Sequence, residues 1–258
     1  MANEVATQNK DFSIVLMDKL NSVSEALPRD FNKARFVQNT LSLLNDNPDL
    51  AKYGQAQIVG GLLKGAYLGL DFYAHECYLI PYGKSLNYQT DYRGEKKLVK
   101  KYSIRPIKDI TAEIVREGDD FSVGIKDNVR VVNFTPKPFN TGKIVGAFAL
   151  VEYADGGIGI DTMSVAELEN TRKHSKASNS PAWRDFTSEM YRKTVLRRLC
   201  KHIEIDFENP TQRSTYEDEV AIETDSAELA KREISEQANT EELVIEGEDV
   251  TVEDAEFE

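Results

Sequence analysis

The spacing of apolar residues divides the chain into three stretches. Across residues 10–27, Phe12, Val15, Leu16, Leu20, Val23 and Leu27 recur at helical spacing, and Pro28 ends the run. A second helix is predicted behind a cap at Asp30, carrying Phe31, Ala34, Val37, Leu41 and Leu44 until Asn47-Pro48 stops it. A third covers about 55–69, with Ile58, Val59, Leu62, Leu63, Ala66 and Leu70 on it or at its end. It also contains Gly60, Gly61 and Gly65, which are poor helix formers and point to close packing against a neighbouring element.

From Leu70 the period shortens. Residues 77–90 read as a hairpin turning at Gly83-Lys84, and residues 91–102 return to helix. From Ile104 to Met163 come several β-rich stretches, separated by the turn residues Asp119-Asp120, Lys126-Asp127-Asn128 and Asp155-Gly156-Gly157. Ser164 with Glu167 three residues on has capping-box spacing and opens a helix that ends near Lys173 or His174. A loop over 174–180 leads into a long helix, Pro181–Ile203. In that helix Trp183, Phe186 and Met190 share one face, while Val195, Leu196, Leu199, Cys200 and Ile203 lie mostly on another. Its two halves are therefore expected to bury different sides. This order predicts an α+β fold: N-terminal helices, then a central antiparallel β-sheet packed by a long C-terminal helix.

Charge changes the picture. The chain of 258 residues has a formal net charge of −12. Residues 216–258 hold 17 acids and only two bases, Lys231 and Arg232, a net of −15. Residues 1–215 are therefore at +3. This divides the protein into a binding and assembly domain at 1–210 and an acidic, apolar-poor tail at 211–258. The tail is expected to be largely disordered, with a short helix around 226–238 forming transiently or on a partner. Cys77 and Cys200 read as buried thiols of a reducing compartment. The N-terminal residues lack an apolar signal region, and no apolar run approaches the roughly 20 residues that span a bilayer. A cytoplasmic protein is expected.

Most enzymatic chemistry finds no support. Gly83-Lys84-Ser85 resembles the end of a P-loop, but Tyr78 stands where the first glycine belongs and no long helix follows. Gly157-Ile158-Gly159 lacks the third glycine of a dinucleotide fingerprint, since Thr162 holds that place. His75 and Cys77 have no second pair to complete a zinc site. Scattered carboxylates leave a metal-dependent nuclease as an alternative, and a passive DNA-coating protein as another.

The cations are better organised. Lys193, Arg197 and Lys201 stand four apart, so on a helix they form one stripe rising about 6 Å per step. Arg192 and Arg198 flank it, and Arg172, Lys173 and Lys176 precede it. A second stripe, Arg93, Lys97 and Lys101, has Lys96 and Lys100 beside it, with Arg105 and Lys108 beyond and Glu95 as the one acid of that run. Two cationic ladders in a body of net +3 point to a row of phosphates. Among the tyrosines interleaved with these bases, Tyr92 is the favoured base-stacking residue. Tyr78 and Tyr88 read as sheet packing, and Trp183 as core.

Three segments carry a resemblance. Residues 63–83, 88–101 and 181–201, with Leu68-Gly69-Leu70-Asp71, Tyr78-Leu79-Ile80-Pro81-Tyr82, Tyr92-Arg93-Gly94 and Lys193-Thr194-Val195-Leu196-Arg197-Arg198, resemble the RecT family of phage single-strand DNA-annealing proteins. The likeness covers about residues 10–205 in order and spacing. It implies a Rad52-like annealing core and a recombinase needing neither ATP nor another cofactor. It also implies rings or filaments on single-stranded DNA, a partner phage exonuclease, and work inside a bacterial host cell. A host single-strand-binding protein is a further candidate partner for the tail. The apolar N-terminal helices are expected to meet a neighbouring subunit.

Overall fold

The computed structural model of the chain describes residues 2–127, 129–175 and 178–218. The segment 219–258, with the helix expected at 226–238, lies outside the described residues, as does Lys176. The elements run α1 (Ala2–Ser22), α2 (Lys33–Asp46), α3 (Gln55–Leu68), β1 (Cys77–Tyr82), β2 (Ser85–Thr90) and α4 (Tyr92–Tyr102). There follow β3 (Ile107–Arg116), β4 (Asp120–Lys126), β5 (Val129–Thr135), β6 (Ile144–Tyr153), β7 (Ile158–Ser164), α5 (Val165–Lys173), α6 (Pro181–Asp185) and α7 (Thr187–Lys201). The fold is α+β, as the order of textures predicts.

Boundaries differ from expectation where local chemistry intervenes. α1 stops at Ser22, whose hydroxyl bonds the Lys19 carbonyl, well before Pro28. Leu27 is already extended, as a residue before proline must be. The cap of α2 is Asn32, accepting from the Arg35 N–H at 2.9 Å, and not Asp30. The long C-terminal helix is broken at Phe186, which leaves helical geometry with φ −126° and ψ 42°. The change of buried face anticipated there is thus made by a break. Trp183 of α6 is buried edge-on to Tyr191, while Phe186 points out. The Ser164–Glu167 capping box is present at the start of α5.

The strands form three antiparallel units and not one sheet. β3-β6-β7 is the central sheet, and β1-β2 and β4-β5 are separate hairpins. The β4-β5 hairpin is anchored by Phe121 and Phe134, whose rings lie 4.9 Å and 5.0 Å from that of Phe148 on β6.

Two apolar cores result. One gathers Leu16 and Leu20 of α1, Phe36 and Val37 of α2, and Ile58 and Leu62 of α3 against Leu79 and Tyr88 of the first hairpin. The other packs Ile110, Ala149, Val151 and Met163 of the sheet under Val195, Leu199 and Cys200 of α7. α4 joins them, giving Leu98 and Tyr102 to the first and Val99 to the second. The glycines of α3 serve close packing: a side chain at Gly61 would run into Leu79, and one at Gly65 into Phe72.

After α7 the chain pairs Ser103 with Ile205, then forms a last helix at 210–218. That helix belongs to the packed body. Gln212 is fully buried, Thr215 nearly so, and Tyr216 lies against Phe207. A truncation that spares it ends after Asp218.

Candidate nucleic-acid interface

α4 begins where Asp91 accepts a hydrogen bond from the Arg93 N–H. Gly94 lets its first turn lie on the Glu76 carbonyl, which any side chain there would strike. The apolar residues Leu98, Val99 and Tyr102 turn inward, leaving Arg93, Lys97, Lys100 and Lys101 exposed. Lys97 pairs with Glu76 at 2.7 Å and also donates to the Gly69 carbonyl. Lys101 pairs with Asp30 at 2.6 Å and Lys100 with Asp109 at 3.0 Å. Hydrogen bonds from these ammonium groups hold the Asp30 and Asp109 carboxyls below their ordinary range. Lys96 is half-buried, donating to the Ile110 carbonyl beside Asp109. Farther along, Arg105 forms a two-pronged pair with Asp155 and lies 4.0 Å above the Tyr153 ring, and exposed Lys108 meets Glu152.

The ladder of α7 sits differently. Of its three cations Lys201 is exposed, while Lys193 and Arg197 turn inward. α7 packs against α4, and its cations reach the two carboxylates on the inner side of that helix. Lys193 bonds Asp91 at 2.6 Å, and Arg197 bonds Glu95 through Nε at 2.9 Å and Nη2 at 2.8 Å. The acid side chains are only 5 % and 4 % exposed. Removing one member of such a pair strands a buried charge, at a cost of about 3–5 kcal/mol. Exposed pairs like those of Lys100 and Lys101 contribute about 0–1 kcal/mol each, so a phosphate can replace their acids at little expense.

Other candidates divide along the same line. Arg198 grips Asp161 with two bonds of 2.7 Å and 2.6 Å and reaches Glu167, fastening α7 to β7 and α5. Arg172 donates to the Ser178 carbonyl and lies over Trp183, bracing the loop before α6. Arg192 bridges Glu189 and Glu113. Lys173 and Lys201 are exposed. Tyr92 is half-buried against the sheet core, with Arg93 and Lys193 at 5.7 Å and 5.6 Å from its ring centre.

The sequence analysis missed Asp91 and Glu95 as members of the site. Their spacing of four matches that of Lys193 and Arg197, a complementarity present in the sequence. Tyr78 and Tyr88, both read as sheet packing, lie on opposite faces of the hairpin. Tyr88 packs in the core, but Tyr78 is on the outer face of the hairpin and 38 % exposed.

Both cysteines are buried free thiols. Burial, and then the negative charge of Glu95, pushes the Cys200 thiol up to about 12. Among the described residues no group of three or more His, Cys, Asp and Glu side chains is placed to hold a metal ion, and no helix is long and apolar enough to cross a membrane.

The protein is an α+β body whose two cores are joined through a helix with a row of cations on its outward side. Comparison narrows the class: residues 34–233, well over half of the chain, match the RecT family, and the chain belongs to that family of DNA-binding, strand-annealing recombination proteins. It is 27 % identical over 207 residues to Protein RecT of Escherichia coli (strain K12), covering 76 % of this chain and 75 % of that relative.

Proposed function

We propose that this protein binds single-stranded DNA through its phosphate backbone and anneals it to a complementary strand without ATP. The observation that carries the reading is the outward side of α4, where Arg93, Lys97, Lys100 and Lys101 stand exposed, and Lys100 and Lys101 pair with acids open to water. Arg105, Lys108, Lys173 and Lys201 extend this contact. A protein that grips phosphates leaves bases open to pair, and pairing is itself downhill by about 1.4 kcal/mol per stacked step. No hydrolysis is needed. The protein screens the repulsion between strands and keeps the first one extended.

The working form is a homo-oligomer, a ring or filament on DNA. The cleft between Ile14 and Met17 of α1 and Val37 and Leu41 of α2, where Ile14 is half exposed, is the surface on which neighbouring subunits meet. Assembly on DNA lost in Ile14→Lys, with an unchanged unfolding curve, supports that contact; assembly intact in that variant removes it. The acidic segment beyond residue 218 recruits a partner exonuclease or single-strand-binding protein. Ending the chain after Asp218 then abolishes that capture and leaves DNA affinity unchanged.

The deciding experiment mixes labelled complementary oligonucleotides with the protein, with and without Mg²⁺ and without nucleotide triphosphates. Conversion to full-length duplex supports annealing. Shortened strands indicate a nuclease, and bound strands that stay single indicate a coating protein.

A further inference from the structure

The motif Leu68-Gly69-Leu70-Asp71 closes α3 and leads into a braced turn. Gly69 ends the helix in the left-handed region, φ +67°. The Asp71 carboxylate then accepts from the N–H groups of Tyr73 and Ala74, and from the Asn39 amide at 2.6 Å. The Asp71 N–H donates to Glu76 Oε2 at 2.8 Å, and Lys97 holds the same oxygen from α4. This bracing fixes His75 at φ +56°, a conformation that non-glycine residues adopt at a cost and that recurs at ligand sites. The result is that His75 is exposed with its imidazole stacked on the Tyr78 ring, centroids 6.0 Å apart and planes 28° from parallel.

Tyr78 belongs to the outer face of the first hairpin, directly across from Gln89, with Ile80 across from Asn87. The Tyr78 hydroxyl is pushed above its ordinary pKa by burial and then by the charge of Asp91, with Arg93 opposing. Gln89 is followed directly by Thr90 and Asp91, and the Asp91 N–H donates to the Glu76 carbonyl, so the ring stands close to the start of α4, where Arg93 is exposed. An open aromatic pair beside an exposed guanidinium matches one nucleotide: rings for the base, a cation for its phosphate. Apolar packing does not explain the pair, because neither ring belongs to a core.

We propose that the His75–Tyr78 pair is a nucleobase-stacking platform, on which one base of the bound strand rests while Arg93 holds the adjacent phosphate. The proposal rests on the single-strand-binding reading above and adds to it a contact to the base. Such a contact is tolerant of sequence, since every base has a stacking face. It gives the strand a fixed point from which the remaining bases are offered for pairing.

The test compares a thymidine oligonucleotide with an abasic strand of the same length, for the wild-type protein and for Tyr78→Ala, Tyr78→Thr and Tyr78→Phe. The wild-type protein is expected to prefer the natural strand by about tenfold. Tyr78→Ala and the strand-compatible Tyr78→Thr are expected to lose that preference with the slope of log K against log salt unchanged, and Tyr78→Phe to keep it. Equal binding of natural and abasic strands by the wild-type protein overturns the platform without any variant. A preference that survives both Tyr78→Ala and Tyr78→Thr overturns it too. Annealing by the wild-type protein is read in parallel. If annealing persists while the stacking signature is missing, the platform alone is wrong; if single strands are neither bound nor annealed, the underlying reading fails.

Discussion

α4 and α7 carry the same arrangement, cations at every fourth position, and use it for opposite purposes. On α7, Lys193 and Arg197 turn toward α4 and pair with Asp91 and Glu95, two carboxylates nearly cut off from water. On α4, Lys100 and Lys101 face out and pair with Asp109 and Asp30, carboxylates open to water, while Lys97 pairs with Glu76, which is 18 % exposed and also bonded to the Asp71 N–H. The difference lies in what the acids can find if their partner leaves. A surface carboxylate is taken up by water, so its cation is free to exchange it for a phosphate. A buried one is not, so its cation is committed to the fold. Stripes of equal charge on a sequence are therefore not equal as ligand sites; the solvent exposure of the counter-charge decides.

The largest effect expected from this contrast is on stability. Arg197→Ala should lower the free energy of unfolding by about 3–5 kcal/mol in denaturant titrations, because Glu95 is left buried and unbalanced. Pairing Arg197→Met with Glu95→Leu should recover most of that loss. A double variant no better than the single one would show that the pair contributes more than mutual neutralisation.

A second effect reports whether this seam stays dry. Cys200 lies beside Glu95, with its thiol pKa at about 12 against an ordinary 9.0. The raised value means the folded state disfavours the thiolate. Its contribution is whole below pH 9 and is lost as pH rises toward 12, at up to about 1.4 kcal/mol per pH unit. Unfolding curves between pH 8 and 10.5 should show this decline, and Cys200→Ala should flatten it. Neither Cys77 nor Cys200 should react with a thiol reagent until the protein unfolds.

The smallest effect on stability belongs to α4. Lys100→Ala and Lys101→Ala should each change it by less than about 1 kcal/mol. A loss as large as that of Arg197→Ala at either of them would erase the distinction between the two helices.

Much of this was present in the sequence. β-rich stretches between turn residues marked the strands from Ile107 to Ser164, and the capping box at Ser164 marked the start of α5, because both signals are local. The cationic stripe of α4 was equally plain. The fate of the α7 stripe was not, since Lys193 meets Asp91 across 102 residues and only the packing of the two helices joins them. The break at Phe186 was visible only as a switch of apolar face, which a continuous helix could also have produced. The partition of β4-β5 from the central sheet depends on Phe121 and Phe134 finding Phe148, a tertiary contact. Tyr78 and Tyr88 were read alike as sheet packing because strand periodicity gives two faces without saying which is buried.

The most direct measurement is the salt dependence of single-strand binding by a variant with Lys97, Lys100 and Lys101 all changed to Ala. Each lost phosphate contact removes about 0.7 from the slope of log K against log salt, so a decrease of about 2 is predicted. A slope identical to that of the wild-type protein would contradict the assignment of the outward side of α4 to the DNA backbone.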